Sequence, residues 1–209
     1  MKIGILGSGN IGGTLGMHWA RAGHEVFLSS RHPRDLQKLA REIGKGAQAG
    51  TLQEAVKFGE VLVLAIPWRS KQDLPKADLF KGKVVVDAMN PYSAFGTVMD
   101  LGDSTSSEEV AKLLPGARLV KAFNTMRAGD LKSGAFKSGE DRWAMFVAGD
   151  DAEAKGVVSG LIEEIGFVPI DTGSLREGGR LQQPGSPVYV KTLTEEQARA
   201  LLPSRKGQD

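Results

Sequence analysis

Apolar residues recur along this chain in short, nearly unbroken runs, and between the runs they return every three or four positions. Residues 3–6, 24–29, 60–66, 82–88, 117–123, 142–148 and 167–171 read as strands. Runs such as EVLVLAI at 60–66 and GKVVVDA at 82–88 are apolar on both faces, which suits a parallel sheet covered above and below. Helical spacing appears at Ile11, Leu15 and Trp19, at Leu36, Leu39, Ala40 and Ile43 within 33–43, and at Val157, Leu161 and Ile165 within 150–165. Thr51 with Glu54 three residues later predicts a capping box opening a helix over 52–58, and 70–80, 106–114 and 194–202 read as further helices. The glycine-rich stretch 44–50 is expected to hold a short third strand. Strand and helix alternate with short links, so the expected fold is α/β, a doubly wound, mostly parallel sheet with right-handed crossovers. Residues 1–172 are expected to form it, including a closing β-α-β unit. Residues 173–209 would add a small C-terminal extension: a loop over 173–187, the amphipathic last helix, and a frayed tail from 203.

Composition narrows the class without changing this picture. The 209 residues suit one α/β domain with a large core, and 41% apolar with 25% charged residues is ordinary globular usage. The 27 basic and 25 acidic residues leave a formal charge of +2, so no bulk field draws the chain to nucleic acid or a membrane surface. The absence of cysteine excludes disulfides, thiol catalysis and thiolate metal sites, and it suits a reducing compartment. The chain enters a strand almost at once with no basic, apolar leader, and no run is long enough to cross a bilayer. A soluble, cytoplasmic protein is expected.

The first strand-to-helix connection brings in chemistry. Gly7, Gly9 and Gly12 stand at G-x-G-x-x-G spacing between residues 3–6 and the segment carrying Ile11, Leu15 and Trp19. One glycine makes the turn, one lets backbone approach a pyrophosphate, and one lets helix and strand pack closely. The phosphates then rest on unpaired N–H groups at the positive end of the helix. About 20 residues beyond such a loop, a dinucleotide fold meets the adenosine ribose, and an NAD site offers Asp or Glu there. This chain offers Ser30 and Arg31, with Arg34 one turn on. A hydroxyl and guanidinium groups suit a 2′-phosphate, to which charge-assisted and bidentate bonds are strong. The alternative is a solvated basic turn opening a helix. The expected cofactor is therefore NADP(H).

Other candidates lie where strands end, the edge at which open α/β sheets place ligands. Pro67-Trp68-Arg69 follows one buried run and Met89-Asn90-Pro91-Tyr92 another, and the irregular stretch 95–105 is a candidate active-site loop. The three histidines make no metal site: His18 falls inside a helix, His24 at a turn, and His32 beside the phosphate position. Asp150-Asp151 reads as a helix start. Lys121 could donate a proton from the end of its strand, or it is an ammonium lying at a strand edge. Little acid–base machinery is visible. Hydride transfer to a flavin-like ring asks mainly for two rings held together in a dry site, whereas carbonyl or imine reduction asks for a proton donor.

The segments GSGNIG, GHEVFLSSR, AIPW, VVDAMNP, KAFNT, AGDD and GGRLQQPG resemble the bacterial branch of the deazaflavin (coenzyme F420) NADP oxidoreductases, from residue 1 to about 187. The chain is also similar to the NADPH-binding domain of the six-transmembrane epithelial antigen metalloreductases. The resemblance implies that Ser8, Asn10 and Ile11 neighbour the pyrophosphate and nicotinamide. It implies that Ser30, Arg31 and Arg34 hold the 2′-phosphate, and that Ile66, Pro67 and Trp68 wall the cofactor. It places Asn90, Pro91, Asn124 and Thr125 nearest the nicotinamide and the incoming ring. The chain departs from archaeal members in having Asn124 where they carry His and a polar C-terminal segment where theirs is apolar.

The leading expectation is an NADP-dependent oxidoreductase moving a hydride between nicotinamide and a small-molecule acceptor, a deazaflavin or a flavin. The competing readings are a small imine or hydroxy-acid reductase and a non-catalytic NADP(H) sensor, since a fold alone establishes no function. The last helix, with Leu193, Ala198, Leu201 and Leu202, either forms a homodimer or packs back on its own sheet.

Overall fold

The computed structural model describes residues 1–203. Its first half alternates β1 (Lys2–Leu6), α1 (Asn10–Ala22), β2 (Glu25–Ser29), α2 (Leu36–Ile43), β3 (Gln48–Gly50), α3 (Leu52–Phe58), β4 (Val61–Leu64) and β5 (Val84–Asp87). Then follow α4 (Ser106–Leu113), β6 (Arg118–Ala122), α5 (Ala128–Gly134), β7 (Ala144–Gly149), α6 (Ala152–Glu164), β8 (Val168–Gly173), α7 (Glu177–Leu181) and α8 (Glu195–Leu201). Among the described residues the strands form one sheet in the order β3-β2-β1-β4-β5-β6-β7-β8. All neighbours pair in parallel except β6 and β7.

The sheet is covered on both faces, which is why its strands read as unbroken apolar runs. Ile3, Ile5, Val61 and Val63 point to one side, against Leu15 and Trp19 of α1 and Val158 and Leu161 of α6. Leu6, Leu62, Leu64 and Val85 point to the other, against Ala55 and Val56 of α3 and Val110 of α4. The chain winds outward from β1 through β2 to β3, then returns to the other flank of β1 with β4. That reversal opens a crevice over the carboxyl ends of β1 and β4, where this class of sheet receives ligands.

Several local expectations are corrected. The helix expected over 70–80 is two 3₁₀ turns, Trp68–Asp73 and Ala77–Phe80, parted around Pro75, which has no N–H to continue a helix. The helix over 33–43 begins as a 3₁₀ turn, Pro33–Asp35. Helix α7 breaks the loop expected over 173–187, and α5 falls in a stretch for which no element was expected. Helix α8 packs back on its own sheet: Ala198 is fully buried in a cluster with Phe146, Ile170 and Val188, joined by Leu193 and Leu202. Of the tail expected to fray, Pro203 is exposed coil and the remainder lies outside the described residues. Among the described residues no helix is long and apolar enough to cross a membrane.

The capping boxes hold as read at Thr51 with Glu54, and a second one joins Thr105 to Glu108 at α4. Of the Asp150-Asp151 pair, Asp151 caps α6 by accepting from the Ala154 N–H at 2.9 Å, while Asp150 accepts from the Leu175 N–H at 3.0 Å. Arg118 grips Asp151 in a two-pronged contact, Nε at 2.6 Å and Nη2 at 3.0 Å. These donors, Arg118 first and the helix N–H second, hold the Asp151 carboxyl well below the usual carboxylate range. A depressed carboxyl stabilises the fold above its unfolded pKa and loses that contribution as pH falls through the folded value. Asp151→Asn is therefore expected to lower the melting temperature at neutral pH and to flatten its fall below about pH 4, the ordinary carboxylate pKa. An acid limb of unchanged steepness would count against this contact.

Candidate functional site

The glycine loop is shaped by two internal constraints and one external one. Gly7 has φ +96°, a left-handed conformation, and a Cβ there would lie 2.6 Å from the Ala65 carbonyl oxygen. At Gly12 a Cβ would fall 1.9 Å from the Gly7 carbonyl oxygen, so α1 can seat against β1 only with glycine. Gly9 differs from both. Its φ of −76° is open to any residue, and a Cβ there would meet no protein atom within 4 Å. Nothing in the protein requires glycine at this position, but a pyrophosphate approaching the backbone would. Gly9 also caps α1 without a side-chain bond, and the first turn carries no acidic residue, so the N–H groups at the head of a 13-residue helix face open space. The residues present fit a dinucleotide.

The open space is a cleft of about 640 Å³ over the carboxyl ends of β1, β4 and β5. Gly7, Ser8, Gly9, Asn10 and Ile11 line it on one side, and Ile66, Pro67 and Trp68 line it on another. Trp68 is buried with its Nε1–H unpaired among the described residues, and the Lys71 ammonium lies 4.4 Å from its ring centroid. Ser8 Oγ donates to the Ser29 carbonyl at 3.3 Å, and Ser29 Oγ to that of Ile5 at 2.7 Å, which ties the loop to the end of β2. Ser30 and Arg31 line the cleft there, and Ser30 Oγ accepts from the His32 N–H at 3.0 Å. Arg31 is exposed and makes no ion pair among the described residues, as a guanidinium reserved for an incoming anion would be. Gly12 and Arg34 do not line the cleft: Gly12 is buried behind the loop and Arg34 is exposed on the 3₁₀ turn. Leu52, Asp73 and Ser93 line it without having been picked out as site residues, and Arg69 lines it beside Trp68.

At the far end the structure brings only one of the four residues expected nearest the nicotinamide to the surface of the cleft. Asn90 lines it beside Met89 and Tyr92. Pro91 is buried, and Asn124 and Thr125, each 4% exposed, lie behind Asn90 as its support. Asn124 Nδ2 donates to Asn90 Oδ1 at 3.1 Å and to the Gln182 carbonyl at 2.7 Å, and Asn90 Nδ2 donates to the Asn124 carbonyl at 2.9 Å. Phe123, just before Asn124, has φ +64°, a left-handed conformation costing an aromatic residue roughly 1–3 kcal/mol. That turn carries the chain from β6 under Asn90. The Asn90 amide also donates to Tyr189 Oη at 3.2 Å, and the Tyr92 and Tyr189 hydroxyls lie 3.1 Å apart. Burial first, then Tyr92, pushes the Tyr189 hydroxyl well above its usual range, so it stays protonated. Tyr189 had no signal in the sequence, because it meets Asn90 across 99 residues.

Lys121 corrects both readings given to it. It is neither a cleft-facing donor nor an edge ammonium, but a fully buried group on the interior strand β6. It stands opposite Asp87 of β5, and its Nζ donates to Asp87 Oδ2 at 3.0 Å, to the Met89 carbonyl, and to Ser106 Oγ at 3.3 Å. Ser107 Oγ donates to the same Asp87 oxygen at 2.8 Å, and Asp87 Oδ1 accepts from the Met89 N–H at 3.0 Å. Burial draws the ammonium below its usual range, against the opposing pull of Asp87. All three of its donors are engaged. It fixes the Met89-Asn90 turn and does not line the cleft. Two histidines are likewise structural, His18 with Nε2 3.2 Å from the Leu131 carbonyl and His24 paired with Glu164, while His32 is exposed beside Ser30.

Comparison with known proteins agrees with this geometry. Residues 2–91, which carry the glycine loop, Ser30-Arg31 and Asn90, match the family model described as NADP oxidoreductase, coenzyme F420-dependent. The rat metalloreductase STEAP3 is 33% identical over 175 residues, 83% of this chain. The chain spans only 34% of that protein's length. An F420-dependent NADP reductase from Methanothermobacter thermautotrophicus is 28% identical over 208 residues, covering 91% of this chain and 88% of the reductase. Among solved structures, the hypothetical protein SMa0349 from Sinorhizobium meliloti superimposes with a TM-score of 0.81 at 32% identity, covering 93% of this chain and 95% of that one.

Proposed function

We propose, from the match of residues 2–91 to the coenzyme F420-dependent NADP oxidoreductase model and the 28% identity to an F420-dependent NADP reductase, that the cleft passes a hydride between NADP(H) and a flat acceptor ring of the deazaflavin or flavin type. One observation carries the reading. A single cleft runs from an unpaired guanidinium, past an uncapped helix start, to an amide and a hydroxyl held by a buried network. When bound, NADPH supplies the hydride from its nicotinamide C4.

The chain's own residues bind, orient and keep out water. Ser30 and Arg31 take the 2′-phosphate, and the N–H groups at the head of α1 take the pyrophosphate. Ile11, Ile66, Met89 and Trp68 give the nicotinamide end apolar walls, so that two rings meet without intervening water. Asn90, locked by Asn124 and Tyr189, presents a fixed amide to the nicotinamide end. Lys121 is buried away from the cleft, which removes one proton donor that reduction of a carbonyl or imine would use, whereas hydride transfer to a ring asks mainly for two rings held together.

Gly9→Val is expected to separate cofactor binding from folding. Its stability should fall by no more than about 1 kcal/mol, the cost of an apolar residue at the N-cap, while NADPH affinity falls more than about tenfold. Equal losses of stability and binding would mean that the glycine serves the fold. For the reaction itself, the purified chain is mixed anaerobically with NADPH and either FMN, riboflavin or deazariboflavin, and the nicotinamide absorbance is followed. Oxidation that requires one of these rings supports the proposal. Tight NADPH binding with no turnover on any of them overturns it in favour of a non-catalytic sensor.

A further inference from the structure

Beyond Ser30 and Arg31 the cleft continues into a recess of about 320 Å³. Three of its walls are apolar, Pro33, Leu52 and Pro75. Asp73 lies at the end of the 3₁₀ turn Trp68–Asp73 and lines both the recess and the cleft, as Arg31 does. Its carboxylate has neither a hydrogen bond nor an ion pair among the described residues.

A carboxylate here is an electrostatic liability. It shares a recess with the groups that take a 2′-phosphate, and two anions in one site repel. It can stand there at a profit to binding only if the ligand offers it a donor, since an ionised carboxylate only accepts. At the adenosine end of the dinucleotide the donors are the ribose 3′-hydroxyl and the 6-amino group of the base. Apolar walls suit the faces of a flat base better than a hydrated sugar or phosphate, and Asp73 shares a segment with one of them, Pro75. The other polar side chains discriminate less. Thr51 Oγ1 is already engaged with Glu54, and Gln53 carries both a donor and an acceptor on its amide.

Resting on the NADP(H) reading above, we infer that the recess is a base-reading subsite in which Asp73 accepts a hydrogen bond from the 6-amino group of adenine. The chain then selects its cofactor at two independent points, the 2′-phosphate through Arg31 and the base through Asp73. A base with oxygen at position 6 sets acceptor against acceptor and is disfavoured.

Direct binding of NADPH and of its 6-oxo analogue, in which hypoxanthine replaces adenine, tests this without any redox acceptor. The parent should bind NADPH about tenfold or more tightly than the analogue, the range of one hydrogen bond to a charged group. Asp73→Asn should bring the two affinities within about threefold of each other, because its amide can accept from the 6-amino group of adenine or donate to the 6-oxo group of the analogue. Asp73→Ala should also shrink the ratio, and Arg31→Glu should weaken both ligands while leaving the ratio intact. Equal affinities in the parent, or an equal loss of both ligands in Asp73→Asn, would overturn base reading and leave the NADP(H) assignment standing. A parent that binds neither ligand overturns both.

Discussion

Arg31→Glu is expected to weaken NADPH binding by about 100-fold or more, while NADH binding changes by less than about threefold. Hydrogen bonds to charged groups contribute roughly 1.5–3 kcal/mol, and the new carboxylate adds repulsion to a lost attraction. NADH lacks the 2′-phosphate and feels little of either. The structure sharpens the expectation, because Arg31 is exposed and unpaired among the described residues. Its replacement breaks no internal ion pair and should leave the melting temperature unchanged, so the effect reads out on the ligand alone. Arg34 does not line the cleft, and Arg34→Glu should cost much less. Equal losses for NADPH and NADH would remove the basis for assigning the phosphate to this end.

The second large effect is on folding. Lys121→Met is expected to destabilise the protein by roughly 3–5 kcal/mol, because it strands the Asp87 carboxylate in the sheet without its countercharge. At roughly 2–4 °C per kcal/mol for a chain of this size, the melting temperature should fall on the order of 10 °C. Removing both charges, with Lys121→Met and Asp87→Leu together, should recover most of that loss. The cycle also separates two chemistries. A proton donor would lose turnover with its stability intact, whereas a buried strut loses stability first. Unchanged stability with abolished turnover would restore Lys121 as an acid and the imine or hydroxy-acid reading with it.

The contrast between Arg31 and Lys121 shows what could be read from the chain. Arg31 follows a strand at a fixed offset from the glycine loop, so its place on the cleft is a matter of local spacing, as are the capping box at Thr51 and the apolar runs of β4 and β5. Lys121 sits inside such a run, and its burial is decided by Asp87, 34 residues earlier and in register on the next strand. Period-two patterning says which face a residue takes and nothing about what stands opposite. Strand direction is equally silent, so the antiparallel turn of β7 was not legible. Helix α7 (EGGRL) is short and glycine-rich, with too little helical signal to register. The wall of Asn90, Tyr92, Asn124 and Tyr189 was legible as separate strand-edge residues, except for Tyr189. Their assembly depends on the C-terminal segment folding back, where the Val190 N–H donates to the Thr125 carbonyl at 2.8 Å.

The central claim, that this cleft joins a nicotinamide to a second ring, is tested most directly by isotope transfer. The chain is mixed anaerobically with NADPH carrying deuterium on both faces of C4 and with an oxidised deazaflavin, whose receiving carbon does not exchange its hydrogen with water. Deuterium from one face of the nicotinamide recovered on the deazaflavin carbon, with none lost to solvent, is the predicted result. Oxidised nicotinamide formed while the deazaflavin acquires only solvent hydrogen would contradict direct hydride transfer in this cleft.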